Sequence, residues 1–193
     1  VQQWRARSSA ILSGADTVLI DDPSLNVRWC ELPDEVQATY PESVLRQPLR
    51  VLLDSQQRIN PSARLFGLPG EVLLVRHQAS GQSLPDNVNE LLLPLGKQGK
   101  MDLSSLLYEL GAMGCNELWV EAGAQLAGAL LDGGWVDEFI VYLAPKLLGP
   151  DAKPLVNIPL LSSMADTPTF ALHSVCQIGE DVRLILQPQR KES

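Results

Sequence analysis

The segment LWVEAGAQLAGAL, residues 118–130, decides the class of fold. Its apolar start predicts a buried strand at 118–120, and its small residues predict a tight turn into a helix at 123–131. Compact apolar runs predict further strands at 17–20, 50–54, 71–76, 90–95 and 136–143. Amphipathic patterns predict helices at 1–12 and from the N-cap Asp102 to residue 110. Strands that alternate with helices favour a mainly parallel sheet covered on both faces.

The C-terminal part differs in pattern from this alternation. Residues 169–175 and 182–186 are separated by Ile178-Gly179-Glu180-Asp181, a spacing that predicts a hairpin adding an antiparallel edge. Residues 22–48 are rich in proline and polar side chains, which predicts a long surface loop. We therefore expect one α/β domain over residues 1–193.

Composition excludes several classes of protein. The formal net charge of −8 argues against broad binding to nucleic acid, and no apolar run is long enough for a membrane span. The three cysteines are widely spaced, so neither a disulfide scaffold nor a metal site is expected in this chain, and a reducing, cytoplasmic setting is the natural interpretation.

A first candidate site lies in residues 17–28. The predicted strand at 17–20 would deliver Asp21 to its carboxyl end, and the following proline loop would present Arg28. These residues suit a hydroxylated, phosphorylated ligand. The alternative is that Asp21 and Asp22 cap a turn before Pro23 while Arg28 is solvated.

A second candidate site is the turn that follows the strand at 118–120. Glu121, small residues and the first turn of a helix would suit a dinucleotide pyrophosphate, because free backbone N–H groups attract anions. A tight turn chosen only for close packing explains the pattern equally well. Arg5 and Arg7 lie two apart on the first helix, so at most one of them is expected to face a site.

Taken together, four segments resemble the C-terminal reductase domain of the bifunctional riboflavin-biosynthesis deaminase/reductase family. They are Arg5-Ala6-Arg7, SGADTVLIDDPSLNVR (13–28), RVLLDSQQRI (50–59) and GCNELWVEAGAQLAGALLDGGWVDEFIVYLAPKLLG (114–149). The resemblance implies a dihydrofolate-reductase-like fold and NADPH as hydride donor. It also implies a phosphorylated pyrimidine substrate, 5-amino-6-(5-phosphoribosylamino)uracil, whose ribosyl group is reduced to ribityl.

The resemblance also implies roles for individual residues. Glu121 and Asp21 are the candidates for orienting sugar hydroxyls or assisting proton movement, and the sequence does not choose between them. Substrate contacts are implied for Arg5, Leu25, Arg28 and Glu121. Cofactor contacts are implied for Thr17, Asp21, Ser55, Gly123, Ala124, Gln125, Leu126, Ala127, Gly128 and Ala129.

The sequence departs from the family pattern at one position and lacks other expected parts. Ala122 stands where the family usually has glycine. The family's first strand and its zinc-dependent deaminase domain are expected upstream of Val1, so zinc is expected only there. Apolar positions at 139–148 suit a homodimer. The alternatives are another pyrimidine or dihydrofolate-type reductase, or a non-catalytic dimerisation domain.

Overall fold

The computed structural model describes residues 1–96 and 99–189. The chain divides into two compact units, Val1–Gly123 and Ala124–Ser193, and each is described by itself. Within the described ranges, no helix is long and apolar enough to cross a membrane.

The first unit is built on a parallel sheet of five strands. In chain order they are β1 (Ala10–Gly14), β2 (Leu49–Leu53), β3 (Val72–Arg76), β4 (Val88–Leu92) and β5 (Leu118–Val120). Their order in the sheet is β4-β3-β2-β1-β5, and every pairing is parallel. The parallel sheet predicted from the alternating pattern is thus confirmed, and the strands at 50–54, 71–76 and 118–120 lie within a residue of their predicted bounds. The strand expected at 90–95 lies slightly earlier.

Four α-helices accompany this sheet: α1 (Gln2–Arg7), α2 (Ala15–Asp21), α3 (Asp34–Thr39) and α4 (Leu103–Ala112). Asp102 caps α4 as predicted, because its carboxylate accepts a hydrogen bond from Ser104 N at 3.1 Å. The segment 22–48, predicted as a loop, contains α3 and two short 3-10 turns.

Two of the predicted elements are wrong. The helix predicted over residues 1–12 ends at Arg7, and Ala10, Ile11 and Leu12 form β1, which pairs with β2 and β5 and in which all three are completely buried. The strand predicted at 17–20 is instead part of α2. Two of its four residues, Leu19 and Ile20, are exposed, and the residues buried in α2 are Ala15 and Val18, three apart as on one helical face.

Arg50 joins the sheet to the loop at 64–70. Its buried guanidinium donates hydrogen bonds to the carbonyls of Leu65, Leu68, Pro69 and Gly70. Burial lowers the pKa of Arg50, and the charge of Glu71 partly offsets this effect. The loop is thus held by main-chain carbonyls that converge on one cation.

The second unit contains one helix and an antiparallel sheet. These are α5 (Ala124–Asp132), β6 (Phe139–Leu143), β7 (Phe170–Ile178) and β8 (Asp181–Pro188), with the strand order β6-β8-β7. The predicted C-terminal hairpin is confirmed, with Gly179 at φ 62° in its turn. Instead of extending the parallel sheet, the hairpin pairs with β6 in a sheet of its own. The strand predicted from residue 136 begins at Phe139.

The middle of α5 is crossed by another part of the second unit. Asn157 N donates to Ala124 O at 2.9 Å. A Cβ added to Gly128 would lie 1.7 Å from Asn157 O, so no side chain fits there. Gly128 therefore has a packing role whatever else it does.

Candidate active site

The candidate residues of the first unit gather at one edge of its sheet. Ser55 follows β2, Glu121 follows β5, and α2, with Thr17 and Asp21, follows β1. Because parallel strands end at the same edge, Ser55, Glu121 and the start of α2 lie along the carboxyl edge, where open α/β sheets bind ligands. Asp21 is the last residue of α2, which corrects its predicted place at the end of a strand.

Arg5 and Glu121 form a direct ion pair at this edge. Arg5 Nε donates to Glu121 Oε1 at 2.6 Å, and Arg5 NH2 donates to Oε2 at 2.7 Å. The remaining terminal nitrogen, NH1, donates to Asn26 O at 2.9 Å. One guanidinium therefore links the turn after β5 to the loop after α2, in the two-pronged geometry that arginine favours with carboxylates.

Glu121 is held by more than Arg5. Trp119 Nε1 donates to Oε1 at 2.7 Å, and Ser13 Oγ donates to the Glu121 carbonyl at 2.7 Å. The Trp119 ring in turn stacks on Trp4, with ring centroids 5.6 Å apart. Three N–H groups are directed at its carboxylate, so Arg5 of α1 and Trp119 of β5 together fix the orientation of Glu121.

Arg7 points away from this pair, as the spacing of two residues on a helix predicts. Its guanidinium pairs with Glu117 at 2.8 Å, and its side chain is 55% exposed, whereas that of Arg5 is 11% exposed. Only Arg5 of the two contributes to the cluster around Glu121.

The loop between α2 and α3 carries backbone strain. Asp22 and Leu25 have φ angles of 40° and 46°, which are uncommon for residues with a Cβ. Gln47 holds the loop by bonding both the N–H and the carbonyl of Val27, at 2.8 and 3.0 Å. Leu25 is buried in the core. A strained conformation held by several contacts is typical of ligand-binding segments.

Arg28 is separate from the Arg5–Glu121 pair. Its side chain is half-exposed and pairs with Glu31 at 2.8 Å, while its backbone N–H donates to Gln2 Oε1 at 3.0 Å. The guanidinium is therefore open to solvent on a loop whose backbone is fixed. Such a group can exchange its carboxylate partner for a phosphate.

A second charged network lies behind Ser55, and the sequence interpretation missed it. Asp54, directly after β2, pairs with Arg76 at 3.0 Å, and Arg76 also pairs with Glu90 of β4. Burial acts to raise the pKa of Glu90, but hydrogen bonds from Arg76 and Ser80, together with the Arg76 charge, outweigh it and lower that pKa. The available signal was a charged residue at the end of each of two apolar strands.

The remaining predicted cofactor residues lie on the turn and helix of the 123–129 segment. Gly123 is exposed, and a Cβ added there would meet nothing within 4 Å. Gln125 is exposed and Gly128 is buried against Asn157. The segment thus combines an open start with a packed middle.

The first unit is therefore an α/β domain with a parallel sheet. Its strained, charged loop lies at the edge where such domains bind ligands. The chain belongs to the RibD C-terminal domain family, whose sequence profile matches residues 1–184. The riboflavin biosynthesis protein RibD of Escherichia coli is 49% identical over 186 residues, which are 96% of this chain and 50% of that protein. The chain thus spans about half the length of that relative.

Two further relatives define the comparison. The 5-amino-6-(5-phosphoribosylamino)uracil reductase of Buchnera aphidicola is 38% identical over 190 residues, covering 98% of this chain and 91% of that protein. The solved structure of Acinetobacter baumannii RibD superposes with a TM-score of 0.84 at 34% identity, covering 97% of this chain and 49% of that one. The expected dihydrofolate-reductase-like fold is therefore confirmed.

Proposed function

We propose that this chain carries the reductase activity of riboflavin biosynthesis. It reduces the ribosyl group of 5-amino-6-(5-phosphoribosylamino)uracil to ribityl, with NADPH as hydride donor. The observation that carries the proposal is the Buchnera aphidicola relative of that name, because the chain covers 91% of it.

The residues at the carboxyl edge fit a dinucleotide. Thr17, Asp21 and Ser55 are not fully buried there, and the space around Gly123 lets a ligand approach the backbone. We assign these residues of the first unit to holding the cofactor. Residues 124–129 of the second unit keep the cofactor contacts that the resemblance implies. The nicotinamide, when bound, supplies the hydride that the ribosyl carbon receives.

The chain's own residues have distinct tasks in this proposal. Arg28 binds the 5′-phosphate, because its guanidinium is half-exposed on a fixed loop. Arg5, locked by Glu121 and Asn26, shapes the substrate pocket, and Leu25, next to Asn26 in the chain, is buried in the core. Of the two candidate carboxylates, Glu121 is committed to Arg5 and Trp119.

Asp21 is the better candidate for orienting sugar hydroxyls or assisting proton movement. It is exposed at the end of α2, and within residues 1–96 and 99–189 no donor holds its carboxylate. The proposal therefore separates the two carboxylates: Glu121 positions Arg5, and Asp21, beside the cofactor, also contacts the sugar of the substrate.

The activity is tested by incubating the protein with NADPH deuterated at C4 and with the phosphoribosyl pyrimidine. We expect loss of NADPH absorbance and a product that carries one deuterium at C1′. Turnover of dihydrofolate in its place would assign the chain to another reductase activity. Absence of both turnover and any NADPH-induced rise in Tm would identify a non-catalytic domain.

The phosphate contact is tested by Arg28→Ala with Arg7→Ala as the matched control. Both arginines are about half exposed, and each pairs with a glutamate at 2.8 Å. We expect Arg28→Ala to raise the KM for the substrate about ten- to hundredfold, the scale of a lost charge-assisted hydrogen bond. An equal effect of the two variants would remove Arg28 from the phosphate site.

The assembly and setting of the protein follow from the same proposal. Because the chain spans about half of its RibD relatives, we propose that a zinc-dependent deaminase domain is linked to it in the whole protein. Leu143, Leu147 and Leu148 are exposed, and we assign them to a homodimer contact. The three cysteines are free, which suits the cytoplasm.

The dimer is tested with the variant Leu148→Glu by sedimentation velocity. We expect the introduced charge to dissociate the dimer.

A further inference from the structure

A buried network supports the loop that carries Ser55. The side chains of Asp54 and Arg76 are 0% and 3% exposed and pair at 3.0 Å. Asp54 directly follows β2, Arg76 ends β3, and Glu90 lies on β4, so the network crosses three neighbouring strands. Such a network is costly to bury and needs a reason beyond core packing.

Asp54 uses its carboxylate for a second purpose. Oδ1 accepts a hydrogen bond from Arg58 N at 2.7 Å, and Oδ2 accepts one from Ile59 N at 3.4 Å. Between Asp54 and Arg58, the residue Gln57 has a φ angle of 54°, which is a left-handed conformation. Residues 55–59, the Ser55 loop, are therefore held in a strained path by the same group that neutralises Arg76.

The segment after β3 holds this loop from the other side. The His77 ring bonds Ser55 O at 2.7 Å, and because a carbonyl only accepts, Nδ1 carries the hydrogen. Gln57 Nε2 donates to Gln78 O at 3.0 Å. The main chain at Ser55 is thus fixed next to the hydroxyl that the proposed function assigns to the cofactor.

The Ser55 loop is also joined to the helix with the other cofactor residues. Arg58, in this loop, pairs with Asp16 of α2 at 2.7 Å, one residue before Thr17. The Ser55 loop therefore connects the network of Asp54, Arg76 and Glu90 to Ser55 and to α2, which carries Thr17 and Asp21. Core packing alone requires none of these contacts at the surface.

We propose that Asp54 and His77 are positioning residues for the cofactor, acting through the Ser55 loop. Asp54 fixes the far end of the loop and His77 fixes the carbonyl of Ser55. This inference rests on the proposed function, because it takes the bound dinucleotide as the ligand that Ser55 meets.

The test uses His77, whose half-buried ring can be removed without opening the core. We compare the wild-type protein with His77→Ala and His77→Asn, and use His173→Ala on the exposed β7 as the matched control. For each we measure the Kd for NADPH, the KM for the pyrimidine, kcat and Tm. An asparagine amide can still donate a hydrogen bond to the Ser55 carbonyl.

We expect His77→Ala to raise the Kd for NADPH about three- to tenfold, the effect of one lost hydrogen bond. The KM for the pyrimidine stays within about twofold, and His77→Asn recovers part of the affinity. Combined with Ser55→Ala, the two effects are less than additive, because both act on one contact.

Three results would overturn the inference. If wild-type protein binds NADPH and His77→Ala binds it equally well, His77 positions nothing, while the proposed function stands. If His77→Ala lowers Tm and weakens both ligands to the same degree, its role is structural only. If the wild-type protein fails to bind NADPH, the proposed function fails together with this inference.

Discussion

Two ion pairs at the carboxyl edge of the same sheet differ in what surrounds them. Asp54–Arg76 is sealed, with side chains 0% and 3% exposed, whereas Arg5–Glu121 retains 11% and 23%. The sealed pair contacts strands and the backbone of a loop. The open pair contacts a tryptophan ring nitrogen and the carbonyl of a strained loop.

The difference in exposure predicts different roles: the sealed pair supports the fold, and the open pair contributes to the site. A sealed pair has no route to a ligand, and removal of one partner leaves the other charge in the core with fewer compensating contacts. An open pair can be reached by a ligand, and its loss changes the geometry of a site more than it changes folding. The two pairs should therefore respond differently to the same kind of substitution.

The largest effect is expected from Asp54→Ala. Among the residues that the structure describes, Arg76 then keeps Glu90 as its ion-pair partner. Two backbone N–H groups of the Ser55 loop lose their acceptor. We expect the free energy of unfolding to fall by about 3–5 kcal/mol, measured by urea denaturation. A loss below that of Glu121→Gln would break the distinction between the two pairs.

Glu121→Gln should have a smaller effect on stability and a larger relative effect on activity. The amide removes the charge opposite Arg5, and we expect a loss of about 1.5 kcal/mol together with a raised KM for the pyrimidine. Glu117→Gln is the control, since its exposed pair with Arg7 should contribute under about 1 kcal/mol. Equal KM values for the two variants would contradict a role for Glu121 at the site.

The smallest effect is a dependence on pH that Glu90 introduces. The pKa of Glu90 is lowered in the folded protein, so its contribution to stability is present above its ordinary value of 4.5 and is lost as the pH falls through the lowered pKa. The difference in unfolding free energy between wild type and Glu90→Gln should therefore shrink as the pH falls from neutral to below the ordinary value of 4.5. A constant difference would show that the Glu90 charge does not stabilise the network.

Strands β2, β3 and β5 were predictable because each contains a continuous apolar run. The error at residues 17–20 has a physical cause: four apolar or β-branched residues in a row look like a buried strand, and only burial shows that Leu19 and Ile20 face outward. The same ambiguity hid β1, whose Ala10-Ile11-Leu12 continued the pattern of the preceding helix.

The candidate site was only partly predictable. Arg5 and Glu121 were both singled out, but 116 residues separate them along the chain, and no spacing rule predicts that they pair with each other. The Asp54–Arg76 network was missed for the same reason, since each member looks like an ordinary polar residue at the end of a strand. Pairing across strands depends on register, which single segments do not encode.

The close crossing at Gly128 has an evolutionary consequence. The atoms that exclude a side chain there are the carbonyl oxygen, carbonyl carbon and nitrogen of Asn157, all of which belong to the main chain. Every amino acid except proline supplies the N–H that bonds Ala124, so the constraint falls on one partner alone. We expect natural variants to keep glycine at position 128, whereas position 157 accepts any residue other than proline.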